Sequence, residues 1–139
     1  MTRPELRISV LKDFGDIRGS SFQPGPELIT FLGNLADMHI ASILPGCIRG
    51  NHFHIKRREA ILVIFADDWR VAWDQGTDTQ VTVKSFSGFG AAVVEVDPYA
   101  SHAVANTGKA LLWVIGLSNG SWDACDPDSY PRIVLPAPN

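Results

Sequence analysis

The chain has 139 residues, of which 45% are hydrophobic and 19% are charged, with a formal net charge of −3. This length suits one domain with a buried core, and we predict a single domain over residues 1–139. The slightly negative charge gives no support to nucleic-acid binding. The longest apolar runs, 60–66 and 110–117, are far shorter than the roughly 20 residues of a membrane helix. Two cysteines and an N-terminus unlike a secretory signal predict a cytoplasmic protein without a disulfide framework.

Short runs of β-branched and aromatic residues, separated by Gly, Pro, Asp and Asn, predict an all-β chain. In chain order the predicted strands are 6–11, 28–31, 37–44, 48–54, 59–65, 69–73, 80–86, 91–96, 103–106 and 111–117. The run 59–65 is almost wholly apolar after its first residue, which predicts a strand covered on both faces. So many short strands favour a double-sheet jelly roll, whose mouth would collect polar side chains.

Three of the four histidines form the most informative pattern, His52-Phe53-His54 followed much later by His102. Imidazoles at positions i and i+2 point to the same face of a β-strand. Glu59 follows a short polar turn after His54, so we expect its carboxylate on the neighbouring strand. Three imidazoles and one carboxylate suit a divalent cation such as Zn, Fe, Ni, Co or Mn, with positions left open for substrate. The pattern therefore predicts a metal site at His52, His54, Glu59 and His102.

The same residues resemble the two motifs of the cupin superfamily. The first motif is Gly, five residues, His-x-His, three or four residues and Glu, which is matched by Gly46, His52, His54 and Glu59. The second ends in His, three residues and Asn, which is matched by His102 and Asn106. The resemblance implies an all-β, double-stranded β-helix, the cupin or jelly-roll barrel, and a bound divalent metal.

Three further elements resemble the cupins of deoxysugar and capsular-polysaccharide biosynthesis, specifically the C-terminal epimerase-like domain of bifunctional sugar-nucleotide reductases. These elements are Asp16-Ile17-Arg18-Gly19-Ser20, Arg49-Gly50-Asn51-His52 and Asp126-Pro127-Asp128-Ser129-Tyr130. The Arg-Gly-x-His element is also similar to that of 3,5-epimerases and 3,4-ketoisomerases of 4-keto-6-deoxy sugar nucleotides. The resemblance implies an epimerase or isomerase acting on a 4-keto nucleotide sugar.

This reaction gives several polar residues a candidate role. A metal ion would polarise the keto oxygen as a Lewis acid. In the metal-free epimerases the base is the His of Arg-Gly-x-His, here His52, so the ligand and base interpretations of His52 compete. His39 is the alternative base, and Tyr99 is a candidate acid. Arg49 is the candidate to bind a pyrophosphate, and Trp73 is the candidate to stack on a base or sugar.

Two other classes of function stay open. One is a cupin that binds a metal or small molecule without turnover, and the other is a mononuclear iron dioxygenase. The basic turn 56–58 is interpreted as a solvated loop. A homodimer is expected because cupins of this kind commonly exchange or pair their terminal strands. The Pro-rich tail 126–139 can either wrap the surface of its own chain or pair with a second subunit.

Overall fold

The computed structural model describes residues 3–137, which form two five-stranded antiparallel sheets and one short helix. The first sheet contains β1 (Leu6–Val10), β2 (Asp37–Ile43), β4 (Glu59–Phe65), β7 (Gly90–Val96) and β9 (Leu112–Ser118). The second contains β3 (Ile48–Phe53), β5 (Trp69–Trp73), β6 (Thr82–Phe86), β8 (His102–Asn106) and β10 (Tyr130–Pro131). Their strand orders are β1-β7-β4-β9-β2 and β10-β3-β8-β5-β6. This arrangement confirms the predicted all-β double-stranded β-helix.

The core lies between the two sheets and becomes polar toward one end. Along β4, the residues Ile61, Val63 and Phe65 all belong to the core, whereas Glu59 at the start of the strand is the polar member of the same row. Alternation with period two puts these residues on one face of the strand. On the other face Ile64 is 46% exposed, so the prediction that this strand is covered on both faces is wrong at that position.

One predicted strand, 28–31, is wrong, because this segment lies within helix α1 (Pro26–Leu32). Pro26 suits the first helical turn, where its missing N–H would have no helical partner. Leu28 and Leu32 lie one turn apart and pack on the outer face of the first sheet. Gly33 then ends the helix with a φ of 72°, donating its N–H to the carbonyl of Ile29. A helix of seven residues is too short to show a clear 3.6-residue period.

The other nine predicted strands match observed ones to within two residues at each end. The tail wraps its own chain, as β10 pairs with β3 and Val134 packs against Ala72 and Ala103 on the outer face of the second sheet. The last two residues of the predicted tail segment, 138–139, lie outside the described residues. Within residues 3–137, no helix is long and apolar enough to cross a membrane. The single domain over 1–139 and the cytoplasmic location stay predictions.

Candidate metal and substrate site

The Arg-Gly-x-His element forms a β-bulge that directs Arg49 and His52 to the interior of the barrel. In a regular strand, residues three positions apart face opposite sides. Here the register of β3 against β8 shifts between Gly50 and His52, and the extra residue is Asn51, with a φ of 57°. A bulge adds one residue to one strand, so it reverses the alternation beyond it. Arg49 and His52 accordingly line the same cavity.

The backbone of β8 and the C-terminal tail explain why the bulge contains a glycine and an asparagine. Gly50 has a φ of 109°, and a Cβ at this position would lie 2.7 Å from the carbonyl oxygen of His102. The Oδ1 of Asn51 accepts hydrogen bonds from the backbone N–H groups of Val134 and Leu135 at 3.0 and 3.1 Å. The tail therefore supports the bulge from the outer side of the sheet.

The three histidines of the two motifs meet at the polar end of the barrel. The ring centroids of His52 and His54 are 4.8 Å apart, and those of His52 and His102 are 4.9 Å apart. One nitrogen from each of the three rings can be chosen so that all three lie within 4.8 Å of one another. Bonds of about 2.0–2.1 Å to a zinc ion leave its ligand atoms at most about 4.2 Å apart. A small closing movement is enough to bring all three nitrogens to one ion.

Backbone carbonyls fix the protonated nitrogen of two of these rings. The Nδ1 of His54 lies 2.7 Å from the carbonyl oxygen of Asp128, and the Nδ1 of His102 lies 3.0 Å from that of Ala100. A carbonyl can only accept, so each Nδ1 carries a proton and the Nε2 of the neutral ring has a free lone pair. Both Nε2 atoms are buried without a hydrogen-bond partner among the described residues. This is the arrangement that metal-binding histidines have.

Glu59 faces the histidines from the opposite sheet, so its predicted position on the neighbouring strand is wrong. The polar turn after His54 crosses from the second sheet to the first and is not a hairpin. The Oε2 of Glu59 lies 2.8 Å from the Nε2 of His54, although the angles there are not those of a hydrogen bond. Burial raises the pKa of Glu59, but His54 and the charges of the other two histidines outweigh burial and lower this pKa to about 2.

Three of these groups, Glu59, His52 and His102, are in the protonation states that a divalent ion requires. Burial, together with His102 and His54, lowers the pKa of His52 to about 4, so this ring is neutral at pH 7. Burial also lowers the pKa of His102. One carboxylate and three imidazoles, with two buried Nε2 atoms that lack hydrogen-bond partners among the described residues, fit a metal such as zinc, nickel, manganese or iron.

Two adjoining cavities lead from this cluster to the surface. The inner cavity has the polar lining residues His39, Arg49, His52, His54, Arg57, Glu59 and His102, and the apolar lining residues Ala41, Ile43, Ile61, Val104 and Val114. The second cavity, which we name the vestibule, shares His39, His52, Arg57, Glu59 and Gly116 with it and adds Asp37, Ser118, Trp122 and Ser129. The shared residues make the two cavities one path from the histidine cluster to the surface.

His39 lies across the path from the histidine cluster. It is on β2 and pairs with Gly116 of β9, where a Cβ would lie 2.5 Å from the Cε1 of the imidazole. The ring therefore lies over a position without a side chain. His39 is exposed and lines both cavities, so its role as a base stays a prediction.

Tyr99 and Trp73 do not lie where their proposed roles require. Tyr99 is 51% exposed and its ring stacks on Phe53, whose side chain does not line either cavity. Its backbone N–H donates to the carbonyl of His54 at 2.6 Å, so Tyr99 supports the site from outside. Trp73 packs against the core between the sheets. Neither side chain is positioned to contact a ligand in this path.

Arg57 was interpreted as part of a solvated loop, but it lines both cavities. Its neighbours Lys56 and Arg58 are exposed as expected. The available signal was the position of Arg57 between two predicted ligands, His54 and Glu59. Arg49 also lines the inner cavity, and its Nε donates to the carbonyl of Ser42 at 2.9 Å. Arg49 thereby bridges β3 and β2.

Asp128 is a further residue whose contribution the sequence did not indicate. Its carboxylate accepts hydrogen bonds from the backbone N–H groups of Ile55, Lys56 and Arg57 at 2.8, 3.0 and 3.1 Å. Its own carbonyl accepts the Nδ1–H of His54. One buried residue of the tail thus holds the turn between two predicted metal ligands. The sequence contains Asp128 in its Asp-Pro-Asp-x-Tyr motif, but the motif alone did not indicate that this residue supports the turn.

The profile of the family described as polysaccharide biosynthesis C-terminal domain matches residues 26–130. The chain belongs to this family. A sequence comparison with curated proteins finds no match.

Several solved structures share the fold. The capsular polysaccharide assembling protein CapF from Staphylococcus aureus is 24% identical with a TM-score of 0.65, over 89% of this chain and 34% of CapF. The sugar 3,4-ketoisomerase QdtA from Thermoanaerobacterium thermosaccharolyticum, in complex with TDP, is 14% identical with a TM-score of 0.67, over 89% of this chain and 85% of QdtA. A third similar structure is the dTDP-6-deoxy-D-glucose-3,5-epimerase RmlC from Legionella pneumophila Philadelphia 1, in complex with dTDP-4-keto-L-rhamnose. It is 18% identical with a TM-score of 0.65, over 85% of this chain and 68% of RmlC.

At these identities the likeness establishes the fold, and the chain spans about a third of the length of CapF. The family match confirms the resemblance to domains of polysaccharide biosynthesis.

Proposed function

We propose that this chain is a metal-dependent epimerase or isomerase of a 4-keto nucleotide sugar. The observation that carries the proposal is the cluster of His52, His54 and His102 with Glu59, at the inner end of a path to the surface. The comparisons support the ligand class, because QdtA and RmlC are an isomerase and an epimerase crystallised with TDP and a dTDP-keto sugar. The family match to polysaccharide biosynthesis supports the same class of ligand.

In this proposal the residues of the path divide the reaction between them. A divalent ion held by His52, His54, Glu59 and His102 would polarise the keto oxygen as a Lewis acid. His39 faces the same cavity from β2, and an imidazole suits proton transfer near neutral pH. It takes the proton from the carbon beside the keto group. Protonation of the resulting enolate by solvent on the opposite face of that carbon gives an epimer. Protonation at the former carbonyl carbon, with the proton of the neighbouring hydroxyl passing to the original keto oxygen, gives a keto isomer.

A metal-free mechanism is the second candidate, with His52 as the base. Its support is the pKa of about 4, which leaves His52 neutral, and the absence of a hydrogen bond to its ring within residues 3–137. The two mechanisms differ in what His52 binds, a metal ion or the proton of the substrate.

Exchange of substrate hydrogen with solvent deuterium tests the proposal. With dTDP-4-keto-6-deoxyglucose as probe, the metal-loaded protein should incorporate deuterium beside the carbonyl, as followed by NMR. His39→Gln should slow this exchange by about 100-fold or more while leaving metal content unchanged. Gly116→Ala should act in the same direction, because its Cβ would displace the His39 ring.

The same assay separates the two mechanisms. Rapid exchange by the metal-free protein, lost in His52→Gln and retained in His39→Gln, would replace the metal mechanism with the second one. The absence of exchange with any 4-keto nucleotide sugar would contradict both.

The expected homodimer is part of the proposal. Its support is an exposed apolar surface on the outer face of the first sheet, where Met38, Ile40 and Trp113 are 59%, 65% and 46% exposed. Light scattering should give the mass of a dimer for the native chain and of a monomer for Ile40→Lys. A monomer in both cases would refute this part.

A further inference from the structure

Arg57 is the arginine that connects the inner cavity with the vestibule. Its stem packs beside Gly120, and one Nη donates to the carbonyl of Pro127 at 3.0 Å. Its Nε is enclosed without a hydrogen-bond acceptor among the described residues. A guanidinium has five N–H donors in a planar fork that suits phosphate and carboxylate. The enclosed Nε is out of reach, but the second Nη has no hydrogen-bond acceptor among the described residues and can donate to an anion in the path.

The charge of Arg57 is not neutralised by an ion pair. In the part of the chain that the structure describes, no carboxylate forms a salt bridge with it, whereas the adjacent Lys56 pairs with Asp126. Two acidic groups, Asp37 and Glu59, also line the vestibule. Glu59 is directed to the histidines, so a metal ion there would leave Arg57 as a cation facing the open part of the path.

Trp122 supplies an aromatic surface in the same vestibule. It is 61% exposed, and the hydroxyl-bearing residues Ser118 and Ser129 line the vestibule beside it. An exposed indole is a platform on which a planar base can stack. Trp73, the aromatic residue first considered for this role, is half-buried against the core and lines neither cavity.

We infer that Arg57 and Trp122 form a nucleoside diphosphate subsite, with the diphosphate on Arg57 and the base on Trp122. This inference rests on the proposed function, and it fixes the direction of the ligand: the sugar points to the histidines and the nucleoside points to the mouth. It also separates the two arginines of the path. Arg49, whose Nε is bonded to the carbonyl of Ser42, lines only the inner cavity and so faces the sugar.

Calorimetric titration of the full chain with TDP, UDP and thymidine tests the diphosphate half. Arg57→Gln should weaken TDP and UDP binding by about tenfold or more and change thymidine binding by less than about twofold. The matched control is Arg58→Gln, because the Arg58 guanidinium lies over Phe31 outside both cavities. Equal affinity in wild type and Arg57→Gln, or an equal loss in both variants, would overturn the assignment.

A second pair of variants tests whether the base stacks on Trp122. Trp122→Ala should weaken both TDP and thymidine by about tenfold, since it removes one stacked contact. Phe89→Ala, at an aromatic residue that is 73% exposed and outside both cavities, should change neither. Trp122 is an exposed residue, so this pair stays informative even if Arg57→Gln does not fold. Unchanged TDP affinity in Trp122→Ala would overturn the stacking role.

The same titrations distinguish failure of the Arg57–Trp122 subsite from failure of the proposed function, on which the subsite rests. If the metal-loaded wild type binds neither TDP, UDP nor a 4-keto nucleotide sugar, the proposed function and the subsite fail together. If the wild type binds TDP and only Arg49→Gln abolishes binding, the proposed function stands and the subsite is wrong.

Discussion

Two backbone carbonyls decide which nitrogen of each buried histidine carries the proton. The sequence predicted His54 and His102 as ligands from their motif positions. It could not predict that the carbonyls of Asp128 and Ala100 would accept their Nδ1–H groups, because those contacts depend on how the tail and the turn before β8 pack. The same limit explains why Arg57 was missed: periodicity does not say which side chain of a polar turn points inward.

Acidification should destabilise the metal-free protein through His52. Burial and its histidine neighbours lower the pKa of His52 from 6.5 to about 4. Between these pH values the unfolded chain binds a proton that the folded chain excludes, so the free energy of unfolding falls as the pH falls. Glu59 does not interfere above about pH 4.5, because its pKa is lowered from 4.5 to about 2 and its contribution is lost between those two values.

Urea unfolding at several pH values between 7 and about 4.5 measures this dependence. His52→Gln should show a smaller slope than the wild type, with the remainder due to His102, whose pKa is also lowered by burial. Identical slopes in the two proteins would show that His52 titrates normally.

Asp128 should matter more to the site than its position in the tail suggests. Asp128→Ala removes an acceptor from three backbone N–H groups, which should lower the free energy of unfolding by about 2–4 kcal/mol. The loosened turn should also weaken metal binding by about 10–100-fold. Denaturant unfolding and metal titration measure the two effects. Asp126→Asn is the control, since this exposed carboxylate pairs with Lys56, and a loss as large there would argue against a special role of Asp128.

At the scale of elements, the strands were predictable but their partners were not. Alternation correctly placed His52, on β3, and His54, directly after β3, on the same side, and their ring centroids are 4.8 Å apart. It could not distinguish a hairpin from a corner between sheets, so Glu59 was placed beside the histidines when it lies across the barrel from them. The bulge at Gly50 also escapes a pattern that assumes strict period two.

Gly50→Ala should disrupt the bulge that brings Arg49 and His52 to the same side. A Cβ there would meet the His102 carbonyl at 2.7 Å, and the φ of 109° is unfavourable for any L side chain. We expect a loss of about 2–4 kcal/mol in unfolding free energy by urea titration, together with loss of metal. Gly46→Ala, whose φ of 80° is strained but whose Cβ has open space, should cost less. Equal losses at the two positions would mean that the bulge is not the cause.

At the scale of the whole molecule, hydrophobic patterning was sufficient to predict the barrel. Nine strands and a core that becomes polar at one end follow from alternation alone. The docking of the C-terminal tail on the outer face of the second sheet does not follow from alternation, because it depends on individual polar contacts. The buried Asp74 meets the Nε of Arg132 at 2.6 Å, and Asn51 accepts two tail N–H groups. These pairings join residues far apart in the sequence, so local sequence patterns do not predict them.

The metal content of the purified protein shows whether the three histidines and Glu59 hold one divalent ion. Elemental analysis of the untagged chain, after exposure to zinc, nickel, manganese and iron, should give about one ion per chain. His54→Ala and His102→Ala should lose it, whereas His39→Ala, a histidine outside the cluster, should retain it. Iron would favour dioxygenation over isomerisation. A wild type that binds none of these metals, or equal metal content in all four proteins, would contradict the claim.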